Sequence, residues 1–324
     1  MEQVTRFATR SVAGDLRVPM WEQYNESALV ALECRTAPGR FVAEEVNAAL
    51  GRVSLAQVSA SPHAVERTVE IIDRSPCDSV LLYATIAGES SFYHRDGVLT
   101  TRPGQVVVCE SDHPFMRGFS RGLRELVVKI PRRTWIDSEG ARATQPRVVG
   151  SADRARVDPY VDALCRSVAQ LLQVDDAGSG HEQVAEAQLI ELAVAMVSGH
   201  AAVGAAPAPH LRAAQAFVDR HLRDPSLGAA RIAAGVGISE RQLSRVFAEA
   251  GVTVPQFVAG RRVRLARRLL ERRGEEVGVA DVAHAVGFTS ASSFSRAFRA
   301  HAGVAPSTVR RLVGRPADDP LGTT

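Results

Sequence analysis

Arg241, Ser244 and Arg245 stand at spacings that put them on one side of a helix, and so do Ser292, Ser295, Arg296 and Arg299. In "LSRVF" (Leu243 to Phe247) the apolar Leu243, Val246 and Phe247 share the other side of the 3.6-residue period. "FSRAF" (Phe294 to Phe298), fifty-one residues downstream, repeats the arrangement with Phe294, Ala297 and Phe298 turned inward. An outward face of this make-up can read DNA. Arginine makes a bidentate contact to guanine, serine donates or accepts, and small side chains let a helix lie close to base edges.

A second set of chemistry-bearing residues lies in the first half of the chain. His94 and His113 are nineteen residues apart with Glu110 between them, and no His-x-His pair accompanies them. That pattern argues against a metal centre. Cys34, Cys77, Cys109 and Cys165 are scattered without a Cys-x-x-Cys pair, so they read as reduced core thiols rather than nucleophiles or ligands. No metal, cofactor or catalytic residue is expected, and the chain is not expected to be an enzyme. Tyr83, Phe92, Tyr93, His94, Cys109 and His113 are candidates instead for the lining of a small-molecule pocket, assigned by strand parity. Two rival readings stand beside this one. They are a metal-dependent barrel enzyme fused to a DNA-binding part, and a DNA binder whose barrel serves only for association.

These residues need elements to hold them. "IAAGVGISERQLSRVF" (Ile232 to Phe247) aligns with "VAHAVGFTSASSFSRAF" (Val282 to Phe298) with one extra residue in the second copy. Each copy reads as a short apolar helix, Val-Gly, a hydrophobe, a hydroxyl and a second amphipathic helix, the layout of a helix-turn-helix. Gly237 and Gly287 supply the permissive backbone of the turn, Ser239 and Thr289 are the expected N-caps, and Ser239 with Gln242 fits a capping box.

Between the copies lies "TVPQFVAGRRVRLARRLLERRG", with Thr253 and Gln256 as a capping box, Pro255 in the first turn and Gly274 as terminator. A helix over Val254 to Arg273 would be about 30 Å long, close to the roughly 34 Å at which the major groove returns to the same face of DNA. Its arginines 261, 262, 264, 267, 268, 272 and 273 go all round it. Arg261 and Arg262 are expected to meet phosphate in preference to Arg267 or Arg268, with Arg299 of the second copy as a further phosphate contact.

Charge agrees with a polyanion partner. Residues 210–315 hold 18 Arg against 8 Asp or Glu, a balance of +10, whereas residues 1–209 hold 21 Lys or Arg against 26 acids, a balance of −5. Arginine neutralises phosphates and releases their condensed counterions. The 324 residues suffice for two domains. An α+β organisation is expected, with an N-terminal β-barrel plus a helical segment and a C-terminal all-α domain. "VERTVEI", "SVLLYATIAG", "SSFYHRDGVLTT", "QVVVCES" and "LRELVVKIP" read as short strands of a small sandwich or barrel, with Asp96-Gly97 as a hairpin turn.

After Pro131 two helices are expected, around Val157 to Leu172 and Val184 to Val197, parted by "DDAGSG" (Asp175 to Gly180). They would cap the barrel or form a subunit interface. "HAAVGAAPAPH" (His200 to His210) reads as an extended linker. The expected domains are therefore residues 1–199, a linker at 200–209, a DNA-binding part at 210–315 with helix-turn-helix units near 228–249 and 279–301, and a tail at 316–324. The N-terminus "MEQVTRFATR" lacks the apolar stretch of a secretory signal, and a cytoplasmic protein is the expectation.

"IAAGVGISERQLSRVF", the joining "RRVRLARRLL" and "VADVAHAVGFTSASSFSRAFRAHAGVAPS" together resemble the AraC/XylS family of transcription regulators over about residues 210–312. The resemblance implies that Arg241, Ser244 and Arg245, then Ala291, Ser292, Ser295 and Arg296, read bases. The chain departs from the family where Val309 stands in place of the usual aromatic, and where ten residues separate Phe247 from Phe257 but eleven separate Phe298 from Val309. The strand series before the linker is similar to the family's cupin-type sensing domain. A small-molecule effector, a homodimer, promoter DNA, RNA polymerase as partner and activation as outcome are implied by the resemblance; the effector's identity is not.

Overall fold

In the computed structural model, which describes residues 4–37, 41–138, 145–153, 156–173, 182–198, 207–273 and 277–313, the chain divides between Ala213 and Ala214 into two units. The first carries β1 (Thr5–Ala8), α1 (Arg17–Ala28), β2 (Glu33–Arg35), β3 (Ala43–Leu50), β4 (Val53–Ala60), β5 (His63–Arg67), α2 (Val69–Arg74), β6 (Ser79–Gly88), β7 (Ser90–His94) and β8 (Gly97–Thr101). It continues with β9 (Gln105–Glu110), β10 (Phe115–Phe119), β11 (Leu123–Pro131), α3 (Arg132–Asp137), β12 (Arg147–Gly150), α4 (Pro159–Leu171) and α5 (Glu182–Ser198). The strands form two antiparallel sheets, one ordered β1-β3-β4-β11-β6-β9-β12 and the other β2-β5-β10-β7-β8.

The larger sheet is apolar on both faces, which explains why β6 shows no alternation: Ser79 to Thr85 are all buried. Its inner face, with Leu81, Tyr83, Val107, Cys109 and Val127, closes against Phe92 and Phe115 of the smaller sheet. Its outer face is covered by helices, α5 lying on β3 and α4 on β11. Glu186 fixes α5 there by accepting from Arg52 N and Arg52 Nε at 3.1 and 2.9 Å. The smaller sheet alternates as a half-exposed sheet should, β5 and β10 each burying every second residue. The result is the cupin-like barrel that the sequence suggested.

Two segments differ from expectation. "VERTVEI" is not one strand: β5 stops at Arg67, and the Thr68 hydroxyl accepts from Ile71 N to start α2. N-capping by a local side chain overrides the β propensity of the valines and isoleucines. The end of the predicted linker is also helical. α6 (Pro207–His221) includes Pro207 and Pro209, because a first helical turn has no intrahelical use for the N–H that proline lacks. Residues 200–206, like Asp175 to Gly180 and Gly274, lie outside the described residues.

The second unit holds α7 (Ala229–Val236), α8 (Glu240–Glu249), α9 (Val254–Arg273), α10 (Val279–Ala285), α11 (Ala291–Ala302) and α12 (Pro306–Val313). α9 is the spine, packing against α8, α10, α11 and α12. Its Val263, Ala266 and Leu270 join Val282, Val286, Phe288, Phe294 and Phe298 in one core. Val309 is part of that core, so an aliphatic side chain fills the place where an aromatic is usual. Towards the other end of α9, Phe257 meets Phe247 of α8 edge-on, with ring centroids 5.2 Å apart.

Candidate functional site

Both turns are built as the repeated motif implies. Gly237 has φ +77° and Gly287 has φ +92°, conformations that a residue with a Cβ adopts only under strain. Ser239 and Gln242 form the reciprocal capping box, with Gln242 N donating to Ser239 Oγ at 3.2 Å and Ser239 N to Gln242 Oε1 at 3.0 Å. Thr253 and Gln256 do the same at the head of α9. In the second motif the cap is Ser290 rather than Thr289: the Ser290 hydroxyl accepts from Ser293 N at 3.2 Å, and Ser293 Oγ donates back to Ser290 O at 2.9 Å. The extra residue of the second copy lies in this turn, so the cap falls one position later than alignment suggested.

The outward faces carry the expected residues. On α8, Leu243, Val246 and Phe247 are buried while Arg241, Ser244 and Arg245 are exposed. On α11, Phe294 and Phe298 are buried, Ser295 is half-buried, and Ala291, Ser292, Arg296 and Arg299 are exposed. Arg245 has Glu249 at 3.9 Å, a distance at which a solvated pair holds the arginine only loosely.

The phosphate assignment needs correction. Arg262 is only 8% exposed, and its Nε and Nη2 donate to the carbonyls of Leu222 and Asp224 at 3.0 and 2.6 Å. It ties α9 to the chain just after α6, so its Nε and Nη2 donors are used inside the fold. Arg261 is also partly engaged, 3.3 Å from Asp219 and with its guanidinium over the Phe257 ring. Among the described side chains of α9 the exposed arginines are Arg264, Arg267, Arg268 and Arg272, and Arg267 pairs with Glu271 at 2.7 Å. Arg267 and Arg268 are thus more exposed than Arg261 and Arg262, because burial follows which side of α9 meets its neighbours and not the local run of charges. Arg264, Arg268 and Arg272 recur every fourth residue, forming one exposed cationic stripe.

In the first unit a cavity of about 460 Å³ opens beside the smaller sheet. Four of the six pocket candidates line it: Phe92, His94, Cys109 and His113. Phe115 and Glu110, which strand parity did not select, complete its inner wall. Phe92 and Phe115 are stacked, centroids 5.1 Å apart. The other two candidates are elsewhere. Tyr93 alternates to the outer face and is exposed, whereas Tyr83 is buried deeper in the barrel with the Arg117 guanidinium 3.8 Å over its ring. Burial pushes Cys34, Cys109 and Cys165 up to about 12, so these thiols stay protonated and are poor nucleophiles.

Charged groups are also sequestered inside the barrel. Arg117 donates to both oxygens of Glu125 at 2.9 and 2.6 Å. Nearby, burial raises the Glu45 carboxyl to about 7 against the opposing hydrogen bond from Asn47, and burial lowers His63 to about 4. The two act in opposite directions. The folded state keeps a proton on Glu45 that the unfolded chain releases, so this contribution falls as pH rises from about 4.5 to about 7. The folded state refuses a proton on His63 that the unfolded chain takes, so that contribution falls as pH drops from about 6.5 to about 4. Glu45→Gln is expected to remove the first dependence, raising stability at pH 8 relative to pH 5 by on the order of 2 kcal/mol compared with the unsubstituted protein. Urea unfolding of both proteins at the two pH values checks this, and parallel pH profiles would contradict it.

A cupin-like barrel with an internal pocket, together with two helix-turn-helix units mounted on one long helix, defines a DNA-binding transcription regulator. The chain belongs to the AraC-type family: the AraC-binding-like domain matches residues 22–224, more than half of the chain, and a helix-turn-helix domain matches residues 232–312. It is similar to "Transcriptional activator NphR" of Rhodococcus sp, 26% identical over 297 residues covering 88% of this chain and 87% of that one. It is also similar to "Transcriptional activator RhrA" of Rhizobium meliloti (strain 1021), 31% identical over 151 residues. That match covers 46% of this chain and spans about half of RhrA, 48% of its length. The crystal structure of the AraC-like transcriptional activator CuxR shares the fold, with a TM-score of 0.50 and 19% identity, covering 87% of this chain and all of that one. Among the described residues no helix is long and apolar enough to cross a membrane, and no three His, Cys, Asp or Glu side chains converge as metal ligands.

Proposed function

We propose that this regulator activates transcription when a small molecule occupies the cavity beside Phe92 and Phe115, and that α8 and α11 read two successive major-groove segments of its operator. The observation that carries the reading is the pair of exposed Arg- and Ser-bearing helices, each following a positive-φ glycine and both seated on the 20-residue α9. Arg241, Ser244 and Arg245 would contact bases in one segment, and Ala291, Ser292, Ser295 and Arg296 in the next. Arg299 and the exposed arginines of α9 supply cations for the phosphates. Activation is supported by the names of NphR and RhrA. Assembly as a cytoplasmic homodimer and engagement of RNA polymerase belong to the same reading.

Footprinting on promoter DNA, with and without candidate effectors, tests it. Protection of two segments one helical turn apart, strengthened by a compound that also raises the melting temperature, is the expected result. Unchanged operator affinity and unchanged stability across a broad compound screen would leave a DNA binder without an effector. Within this reading Arg296→Ala should cost about 1–3 kcal/mol on the specific operator and relax discrimination at one base pair. Equal weakening on operator and random DNA would contradict the base-reading role.

A further inference from the structure

The two reading helices share an arginine but differ in what stands beside it. With Phe247 set against Phe298, Arg245 corresponds to Arg296 and Glu249 corresponds to Ala300. Arg245 therefore has a carboxylate one turn further along α8, its Nε 3.9 Å from Glu249 Oε1 and both side chains about half exposed. Arg296 has only a methyl group at the equivalent place on α11. Glu249 is the last residue of α8, where a negative charge opposes the helix dipole. It also stands next to a face whose partner is a polyanion, so it repels the phosphates that the surrounding arginines attract. Neither helix stability nor phosphate binding gains from a carboxylate there, and the contact it does make is with a base-reading candidate.

We infer that Glu249 is a positioning residue for base reading: it holds Arg245 by Nε and so sharpens that arginine's selection of guanine, a restraint that Arg296 lacks. The inference rests on the reading of α8 and α11 as base-contacting helices. In water the pair is loose. In a groove that excludes water the same attraction strengthens, because it grows as the local dielectric falls. Nε then faces Glu249, and the two Nη groups are left as the parallel donors that guanine O6 and N7 accept. An arginine restrained in this way loses less rotamer freedom on docking and has fewer ways to reach a phosphate or a neighbouring base.

Selection from a pool of random-sequence DNA duplexes by the full chain, followed by sequencing, tests this, with Arg245→Ala and Arg296→Ala marking the base pair that each arginine reads. Glu249→Gln keeps the length of the side chain and removes its charge. It should lower the guanine preference at Arg245's base pair by about threefold or more, leave Arg296's base pair unchanged, and tighten binding to unselected duplex roughly twofold. Ala300→Glu should make the converse change, sharpening Arg296's base pair alone. Both positions are exposed, so neither substitution disturbs the core. A guanine preference that is unchanged in Glu249→Gln, lowered equally at every base pair, or not sharpened in Ala300→Glu overturns the inference while leaving α8 as a reader. Arg245→Ala without a loss confined to one base pair removes the base-reading role of α8, and the inference with it.

Discussion

Arg117→Ala is expected to destabilise the barrel unit by about 3–5 kcal/mol, a large part of the stability of an ordinary domain. Arg117 is 2% exposed, pairs with both oxygens of Glu125, and lies over the Tyr83 ring and near that of Phe119. Desolvation lowers its pKa, but the Glu125 charge and hydrogen bonds raise it further and hold the guanidinium above its ordinary range. Truncation at Arg117 would leave the Glu125 carboxylate, itself 4% exposed, without its cation in a medium that solvates it badly. The loss should therefore exceed that from truncating an apolar side chain of similar size. Replacing the pair together, as Arg117→Met with Glu125→Leu, should recover most of the stability, because removing both charges also removes their desolvation cost. Urea denaturation of the single and double variants measures both effects. A single variant within about 1 kcal/mol of the parent would show that the pair contributes little.

Gly287→Val is expected to abolish specific DNA binding and to lower the stability of the second unit by about 3 kcal/mol or more. Two costs combine at this glycine. Its φ of +92° is strained for any residue with a Cβ, and a Cβ placed there would come within 2.7 Å of the Leu222 carbonyl and 3.0 Å of the Arg262 guanidinium. Valine would thus break the tie by which Arg262 holds Leu222 and Asp224 and tilt α11 away from its seat. Gly303→Ala separates the two costs. Gly303 has φ +73° but nothing within 4 Å of an added Cβ, so only the backbone term applies, about 1–2 kcal/mol. Circular dichroism melts and operator binding of the two variants make the comparison. Equal losses would mean that the close approach at Gly287 is unimportant.

The second unit was largely legible because its signals are local. A serine N-cap, a glycine in a turn and an apolar stripe each act within one or two turns of helix, and the same set occurs twice. The barrel was legible in its strands, since "SVLLYATIAG" coincides with β6 and "LRELVVKIP" with β11. It was less legible in its pocket. Strand parity separates two faces but does not say which depth along the barrel is open, and so it joined exposed Tyr93 and deeply buried Tyr83 to the four residues that line the cavity. Glu110 and Phe115 were missed because the cavity lies where the end of β9 in one sheet meets β7 and β10 of the other, a juxtaposition set by how the sheets close on each other.

Two copies of a helical DNA-reading device, joined by an arginine-rich helix and preceded by a β-rich unit, are thus written in the order of the residues alone. Periodicity, caps and charge are properties of neighbouring residues. Which arginines are exposed and which are engaged follows from packing: Arg262 and Arg117 are buried against carbonyl or carboxylate partners, while Arg264, Arg268 and Arg272 face solvent. Arg117 on β10 finds its partner on β11, and Arg262 on α9 finds its partners in the chain just after α6. The environment of a charge depends on what the fold packs around it, and desolvation, unlike helical periodicity, cannot be computed from the residues on either side.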